Sequence, residues 1–175
     1  FNIMARIVWR TTIVSIIFLT DAATSDPGRQ RGIPISKSKY LNGRIKKIIK
    51  GKRFALKYCD TCHLIRDVRS FHCKECGLCI ERQDHHCGYL SNCVGIGNYR
   101  KFLIFVIISF IHVGNLEWFS CVFLYKLSET KDKSILLITL SMTLVMIIGA
   151  MFCLFLLPLF IEHIINVFKN KLTSE

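Results

Sequence analysis

Apolar and charged positions are segregated along this chain. Residues 102–125 and 135–161 are almost wholly apolar, a shorter apolar run covers Ile7 to Thr20, and 29–101 carries most of the charge. The 27 residues from Ile135 to Ile161 contain no charge. At about 1.5 Å per residue they exceed the roughly 30 Å of bilayer hydrocarbon. Residues 134–161 are therefore expected as a transmembrane helix, with Pro158 breaking or kinking its last turn. Residues 102–125 form a second expected span. Its Ser109, His112 and Asn115 recur every third position, so they share a face suited to interhelical hydrogen bonds. Glu117 lies off that stripe and is expected to approach the far interface. The first run is interrupted by Arg10, yet Trp9 and Arg10 suit an interfacial position, so residues 1–25 are expected as a third span.

Composition adds direction to this pattern. Of 175 residues 51% are hydrophobic, little more than in a soluble domain, so it is the segregation that excludes a uniform soluble globule. Residues 29–101 hold 17 Lys and Arg against five Asp and Glu, which accounts for the net charge of +12. Basic residues collect on the cytoplasmic side of membrane proteins. The central segment and the tail 162–175 should then face the cytosol, and the 126–133 loop the lumen. Asp26-Pro27-Gly28 signals a turn and opens a basic cytosolic linker, 26–58, in which Ile45, Ile48 and Ile49 suggest an amphipathic turn. Beside membrane helices such a basic block is expected to meet the headgroups of the lipid bilayer, and no nucleic acid is expected as a partner. The chain begins at Phe1, so a longer parent with a missing beginning is expected.

Seven of the nine cysteines lie between Cys59 and Cys93. Cys59, Cys62, His72 and Cys79 follow C-x2-C-x9-H-x6-C, and Cys73, Cys76, His86 and Cys93 repeat that pattern 14 residues later. Two interleaved sets of three cysteines and one histidine result. Each matches a closed tetrahedral zinc site with no position left for water, so residues 59–101 are expected to form a module built around two structural zincs. A reducing cytosol, which keeps thiols free, agrees with metal ligation.

Cys87 continues the spacing of Cys59 and Cys73. A third site would need a cysteine at 90 and ligands at 100 and 107, where the chain has Leu90, Arg100 and Ile107. Cys87 is thus left out of both sets, as are Asp84 and His85. A cysteine beside a histidine that can take its proton, with a carboxylate to orient the imidazole, is an arrangement for nucleophilic catalysis. Asp84 and His85 could equally support the zinc ligands, with Cys87 a spare small residue.

Asp84-His85-His86-Cys87, followed by Asn92-Cys93-Val94-Gly95 and Asn98, resembles the DHHC protein S-acyltransferases, or palmitoyltransferases. Asp26-Pro27-Gly28 resembles the family's Asp-Pro-Gly motif, and Leu172-Thr173-Ser174-Glu175 a degenerate form of its Thr-Thr-x-Glu motif. The resemblance implies an α-helical polytopic membrane protein in which the three helices here are helices two, three and four, with helix one missing before Phe1. It implies an enzyme that moves a long acyl chain from acyl-CoA, as palmitoyl-CoA, through Cys87 to protein substrates with cytosolic membrane-proximal cysteines. His85 would then be the base and Asp84 its orienting carboxylate. It also implies a multi-pass protein of the Golgi or ER with the catalytic module facing the cytosol. Three positions depart from the family: Gly88-Tyr89 replaces Pro-Trp, Asp67 replaces a proline, and Leu172 replaces the first threonine of the last motif. A non-catalytic zinc-stabilised membrane scaffold, diverged or truncated, is the alternative.

Overall fold

In a computed structural model, residues 2–32, 36–43, 45–129 and 136–173 are described. Part of the expected 126–133 loop, and Ser174 and Glu175 of the last motif, lie outside them. The elements run α1 (Asn2–Thr24), α2 (Lys37–Gly43), β1 (Lys46–Ile49), β2 (Lys52–Ala55), β3 (Lys57–Cys59), β4 (Leu64–Arg66), β5 (Phe71–Cys73), β6 (Leu78–Ile80), β7 (His85–Cys87), β8 (Asn92–Val94), α3 (Tyr99–Ser128) and α4 (Leu136–Lys169). The chain divides into two compact units, Phe1–Thr20 with Leu103–Lys169, and Asp21–Phe102 with Asn170–Glu175.

The first unit is helical. Ile3–Thr24, Tyr99–Ser128 and Leu136–Lys169 are each long and apolar enough to cross a membrane. Large apolar side chains such as Trp9, Trp118, Leu137 and Leu154 point outward, as lipid-facing positions do. Polar side chains of α3 turn inward instead: Ser109 and Ser120 are buried, and His112 Nδ1 meets Thr11 Oγ1 of α1 at 2.9 Å. That contact is of the kind expected from the Ser109–His112–Asn115 stripe. Phe110 of α3 stacks on Phe160 of α4, centroids 5.5 Å apart.

Two sequence expectations change here. Glu117 does not simply run to an interface. Its carboxylate packs over Gly149 of α4, where a Cβ would overlap Oε1, so glycine at 149 makes the notch that admits it. Pro158 does not end its helix either, because α4 continues to Lys169. Proline removes one backbone donor, a loss that membrane helices tolerate when the freed carbonyl finds another partner.

The second unit is built from hairpins. β1 pairs with β2, β3 with β4, β5 with β6 and β7 with β8, all antiparallel and each a separate two-stranded sheet. The first hairpin replaces the amphipathic turn expected around Ile48, since β-branched residues favour strands and Lys50-Gly51 supplies a tight turn. The other three reproduce the 14-residue sequence repeat. Their outer register pairs are Lys57 with Arg66, Phe71 with Ile80, and His85 with Val94. His63, Gly77 and Ser91 take positive φ at equivalent turn positions, 51°, 66° and 47°. Among the described residues are two small buried clusters, Cys59, Leu64 and Cys79 in one and Cys73, Ile80 and Cys93 in the other. Most of these residues are cysteines, and Ala22, Leu90, Val94, Phe102 and Leu172 are also buried in this unit.

The turn at 26–28 locks into this module. Asp26 Oδ1 accepts from the amides of Gly28 and Arg29 at 2.9 and 3.0 Å. Gly28 O accepts from Glu81 N at 2.8 Å, and Pro27 O from Gly97 N at 3.1 Å. A side chain at Gly97 would strike the backbone of 26–28, which explains glycine there. Asn92 Nδ2 donates to Ala23 O and Ser25 O, both at 2.9 Å. Asn98, 1% exposed, donates to Cys93 O at 2.9 Å and Ala22 O at 3.3 Å and accepts from Gly95 N at 3.0 Å. These two amides satisfy carbonyls that the end of α1 leaves unpaired. Lys101 Nζ adds a cation at the same helix end, 2.6 Å from Asp21 Oδ1.

Candidate active site and metal centres

The two interleaved cysteine and histidine sets come together in space as their spacing predicts. In each, one ligand atom per residue lies within 4.8 Å of the others. His72 Nδ1 is 3.5, 3.3 and 3.8 Å from the sulfurs of Cys59, Cys62 and Cys79. His86 Nδ1 is 3.5, 3.4 and 3.7 Å from those of Cys73, Cys76 and Cys93. Tetrahedral zinc with bonds of about 2.3 Å to sulfur and 2.0–2.1 Å to nitrogen sets sulfur and nitrogen about 3.6 Å apart, so the residues fit the ion. Burial and the neighbouring thiols push Cys79 and Cys93 far above the usual thiol range. Three sulfurs this close cannot all be thiolates without a cation among them, and a bound zinc would supply it. All nine cysteines carry free thiols.

Each first cysteine of a set sits at the end of a strand, with its sulfur facing the amides of the following turn. Cys62 N donates to Cys59 Sγ at 3.4 Å, and Cys76 N to Cys73 Sγ at 3.5 Å. The β7–β8 hairpin, third of the repeat, keeps this corner. Cys87 ends β7, Leu90 N donates to its carbonyl oxygen at 3.2 Å, and the backbone of the turn at Tyr89 and Leu90 favours its thiolate. Because Leu90 replaces the second cysteine of the knuckle, the corner has a thiol and turn amides but no partner sulfur from its own turn.

His85 lies at the other end of β7. Its Nδ1 is 2.8 Å from Asp84 Oδ2, and Cys87, two residues on in the same strand, favours the charged form of the imidazole. Phe102 packs edge-on against the imidazole, centroids 5.3 Å apart. Asp84 is 2% exposed and both its oxygens are used, since Oδ1 accepts from Thr173 N at 2.9 Å. Burial opposes charge on His85, but the hydrogen bonds from Asp84 and Cys87 prevail and push its pKa up to about 9. Burial likewise opposes the Cys87 thiolate, yet His85 and the Leu90 and Tyr89 amides hold its pKa below the usual thiol value. The set can therefore exist as an imidazolium beside a thiolate, the form in which cysteine is a nucleophile.

The departures from the family pattern are accommodated nearby. Tyr89 is 75% exposed. Asp67 pairs with Lys47 at 2.5 Å. Leu172 is buried, and its neighbour Thr173 acts through a backbone N–H, which any residue but proline could provide. Residue spacing assigned no partner to Thr173 and no helix end to Asn92 or Asn98. The available signal was the recurrence of amide side chains beside Cys93, but the carbonyls they reach are distant in sequence.

Comparison with known proteins agrees with these motifs. The chain is 43% identical over 94 residues to probable protein S-acyltransferase 6 of Arabidopsis thaliana, covering 53% of this chain and 23% of that protein. It is 37% identical over 126 residues to palmitoyltransferase ZDHHC2 of Mus musculus, covering 69% and 33%. It is 33% identical over 127 residues to palmitoyltransferase ZDHHC8B of Danio rerio, covering 73% and 16%. The chain thus spans a third or less of the length of these relatives. With the sequence model of the DHHC palmitoyltransferases matching residues 52–175, around the same interleaved clusters and the same Asp84–Cys87 segment, the chain belongs to the DHHC palmitoyltransferase family.

Proposed function

We propose that this protein is a protein S-acyltransferase that moves a long-chain acyl group, palmitoyl, from acyl-CoA to cysteines of membrane-associated proteins through an acyl-Cys87 intermediate. Cys87 is the nucleophile, His85 the general base and Asp84 the carboxylate that fixes the imidazole tautomer. The observation that carries this reading is the 2.8 Å contact of His85 with Asp84 in the strand that ends at Cys87, a cysteine absent from both candidate metal-ligand sets.

The chemistry is a two-step exchange. The Cys87 thiolate attacks the acyl-CoA carbonyl, the thioester bond to CoA breaks, and the departing CoA sulfur takes the proton held by His85. In the second step His85 removes the proton from the acceptor thiol, whose sulfur attacks the acyl-Cys87 carbonyl. The bond to Cys87 then breaks, which restores the thiolate beside an imidazolium. The roles of base and acid alternate on one histidine, as such chemistry requires. Two zincs, held by Cys59, Cys62, His72 and Cys79 and by Cys73, Cys76, His86 and Cys93, order the module and take no part in these steps.

The module is placed on the cytosolic side of an endomembrane, Golgi or ER, a reading supported by the basic residues of the central segment. Its protein substrates carry cytosolic cysteines near the membrane. The test is incubation of the purified protein with a labelled long-chain acyl-CoA. Cys87 should acquire a hydroxylamine-sensitive thioester that chases onto an acceptor protein, and Cys87→Ser should not. Absence of the adduct in wild type, or normal transfer by Cys87→Ser, would replace this reading with that of a zinc-stabilised scaffold.

A further inference from the structure

The β1-β2 hairpin has features that the acyl-transfer reading does not use. It is a separate two-stranded sheet, and all eight of its strand residues are exposed. Lone hairpins are marginal in water, so an exposed one this apolar suggests a second environment. Ile48 is 66% exposed, with Ile45, Ile49 and Phe54 also open to the surface. Around them stand Lys46, Lys47, Lys50, Lys52, Arg53 and Lys57, and no acidic residue occurs from Ile45 to Cys59.

The arrangement of these residues is specific. Lys50 and Gly51 form a two-residue turn with φ of 47° and 76°, both positive as in a type I′ hairpin. Directly paired residues share a face of the ribbon. Ile48 opposes Arg53 on one face, while Ile49 opposes Lys52 on the other, with Phe54 and Lys47 behind them. Both faces next to the turn therefore carry an isoleucine beside a cation. The base is fixed: Leu56 N donates to Ile45 O at 3.1 Å, Tyr40 Oη donates to Leu56 O at 2.8 Å, and Lys47 pairs with Asp67. The Ile49 and Phe54 face lines a groove shared with Val68, Arg69 and Arg82, whereas Ile48 and the turn project free of it.

We infer that this hairpin is a lipid-binding element whose tip enters the interfacial layer of an anionic membrane leaflet. A folded protein partner covers one face of a ribbon, but the headgroup layer surrounds a tip, which suits isoleucines on both faces. Lysine and arginine stems lie along the acyl boundary while their heads reach phosphate and carboxylate groups. The membrane is also close along the chain, which leaves the α1 span at Thr24 and enters β1 at Lys46. Binding here would hold the basic segment at the leaflet independently of any acyl transfer.

The test uses the full chain in nanodiscs of phosphatidylcholine alone or with about a third phosphatidylserine, without acyl-CoA, and reads amide hydrogen exchange across residues 46–55. Exchange should be at least about tenfold slower in the anionic discs, and high salt should reduce the difference. Each cation near an anionic surface is worth about fivefold in binding. The combined Lys46→Ser, Lys50→Ser, Lys52→Ser and Arg53→Ser variant should therefore abolish the protection while retaining two zincs per chain. Ile48→Ser, which keeps every charge, should weaken it. Equal exchange in both discs, or protection unchanged in both variants, would overturn the inference. Slowing in neutral discs only when poly-glutamate is added would also overturn it, and would assign the surface to an acidic protein. Acyl transfer enters none of these readouts, so failure here is separable from failure of the catalytic reading.

Discussion

Cys87 occupies in the β7–β8 hairpin the corner that Cys73 occupies in the β5–β6 hairpin, 14 residues earlier. The Cys73 sulfur accepts from Cys76 N at 3.5 Å, and the turn backbone at Tyr89 and Leu90 likewise favours a thiolate at Cys87. What differs is the neighbouring residue, Cys76 against Leu90. A fold unit used twice to gather residues that could hold a metal is used a third time with a sulfur outside both sets.

That relationship makes metal content and thiol chemistry separable. The protein should hold two zincs per chain, and Cys87→Ala should leave that number unchanged. His72→Ala or Cys76→Ala should lower metal content and yield, because structural zinc contributes about 10–16 kcal/mol and the module's buried clusters consist largely of cysteines. Metal analysis of the purified variants is the check. A stoichiometry of one in folded wild type would sink the interleaved assignment.

Asp84→Asn probes the orientation of His85. The amide is nearly isosteric, but it cannot accept from both His85 and Thr173 as the carboxylate does at 2.8 and 2.9 Å. Acyl transfer should fall on the order of a hundredfold or more, with both zincs retained. The pH dependence follows in sign. In wild type the His85 pKa is pushed up to about 9 and the Cys87 pKa is lowered, so the charged pair occupies the window between them, lost as the thiolate takes a proton on the acid side and as the imidazolium gives one up near pH 9. Removing the carboxylate weakens the imidazolium, and the pH at which Cys87 becomes reactive to an alkylating agent should move upward. An unchanged profile would rule out this role for Asp84.

Asn98→Ala should destabilise the protein without touching a metal ligand. It strips partners from Ala22 O, Cys93 O and Gly95 N at a site that is 1% exposed. Buried groups left unpaired cost about 1–3 kcal/mol each, so the thermal midpoint in detergent should drop by several degrees. Asn98→Asp, which keeps the acceptor but loses the donors, should not restore it.

Gly149→Val should disturb the packing of α4 on α3, since the first carbon of any side chain at 149 overlaps the Glu117 carboxylate. Shortening the obstacle with Glu117→Ala should recover part of the lost stability in the double variant. Such non-additivity is the mark of direct contact. Strict additivity in melting experiments would show that the two residues do not meet.

Which parts of this molecule were legible beforehand follows from the range of the forces involved. The spans are a property of local composition, because a bilayer selects long uncharged runs whatever they pack against. The two ligand sets were also readable in the residue spacing, because tetrahedral coordination tolerates few arrangements of thiolate and imidazole. The same 14-residue arithmetic isolated Cys87. Spacing could not choose between Cys87 as a nucleophile and Cys87 as a spare residue, since that depends on where the His85 ring points. The tertiary structure supplied one part of that geometry, the 2.8 Å contact of His85 Nδ1 with Asp84 Oδ2. It also seated Glu117 in the notch at Gly149, carried α4 through Pro158, and folded 46–55 into a hairpin rather than an amphipathic turn. Each of these outcomes rests on hydrogen bonds or close contacts between atoms brought together by packing, and such partners leave no period in the sequence.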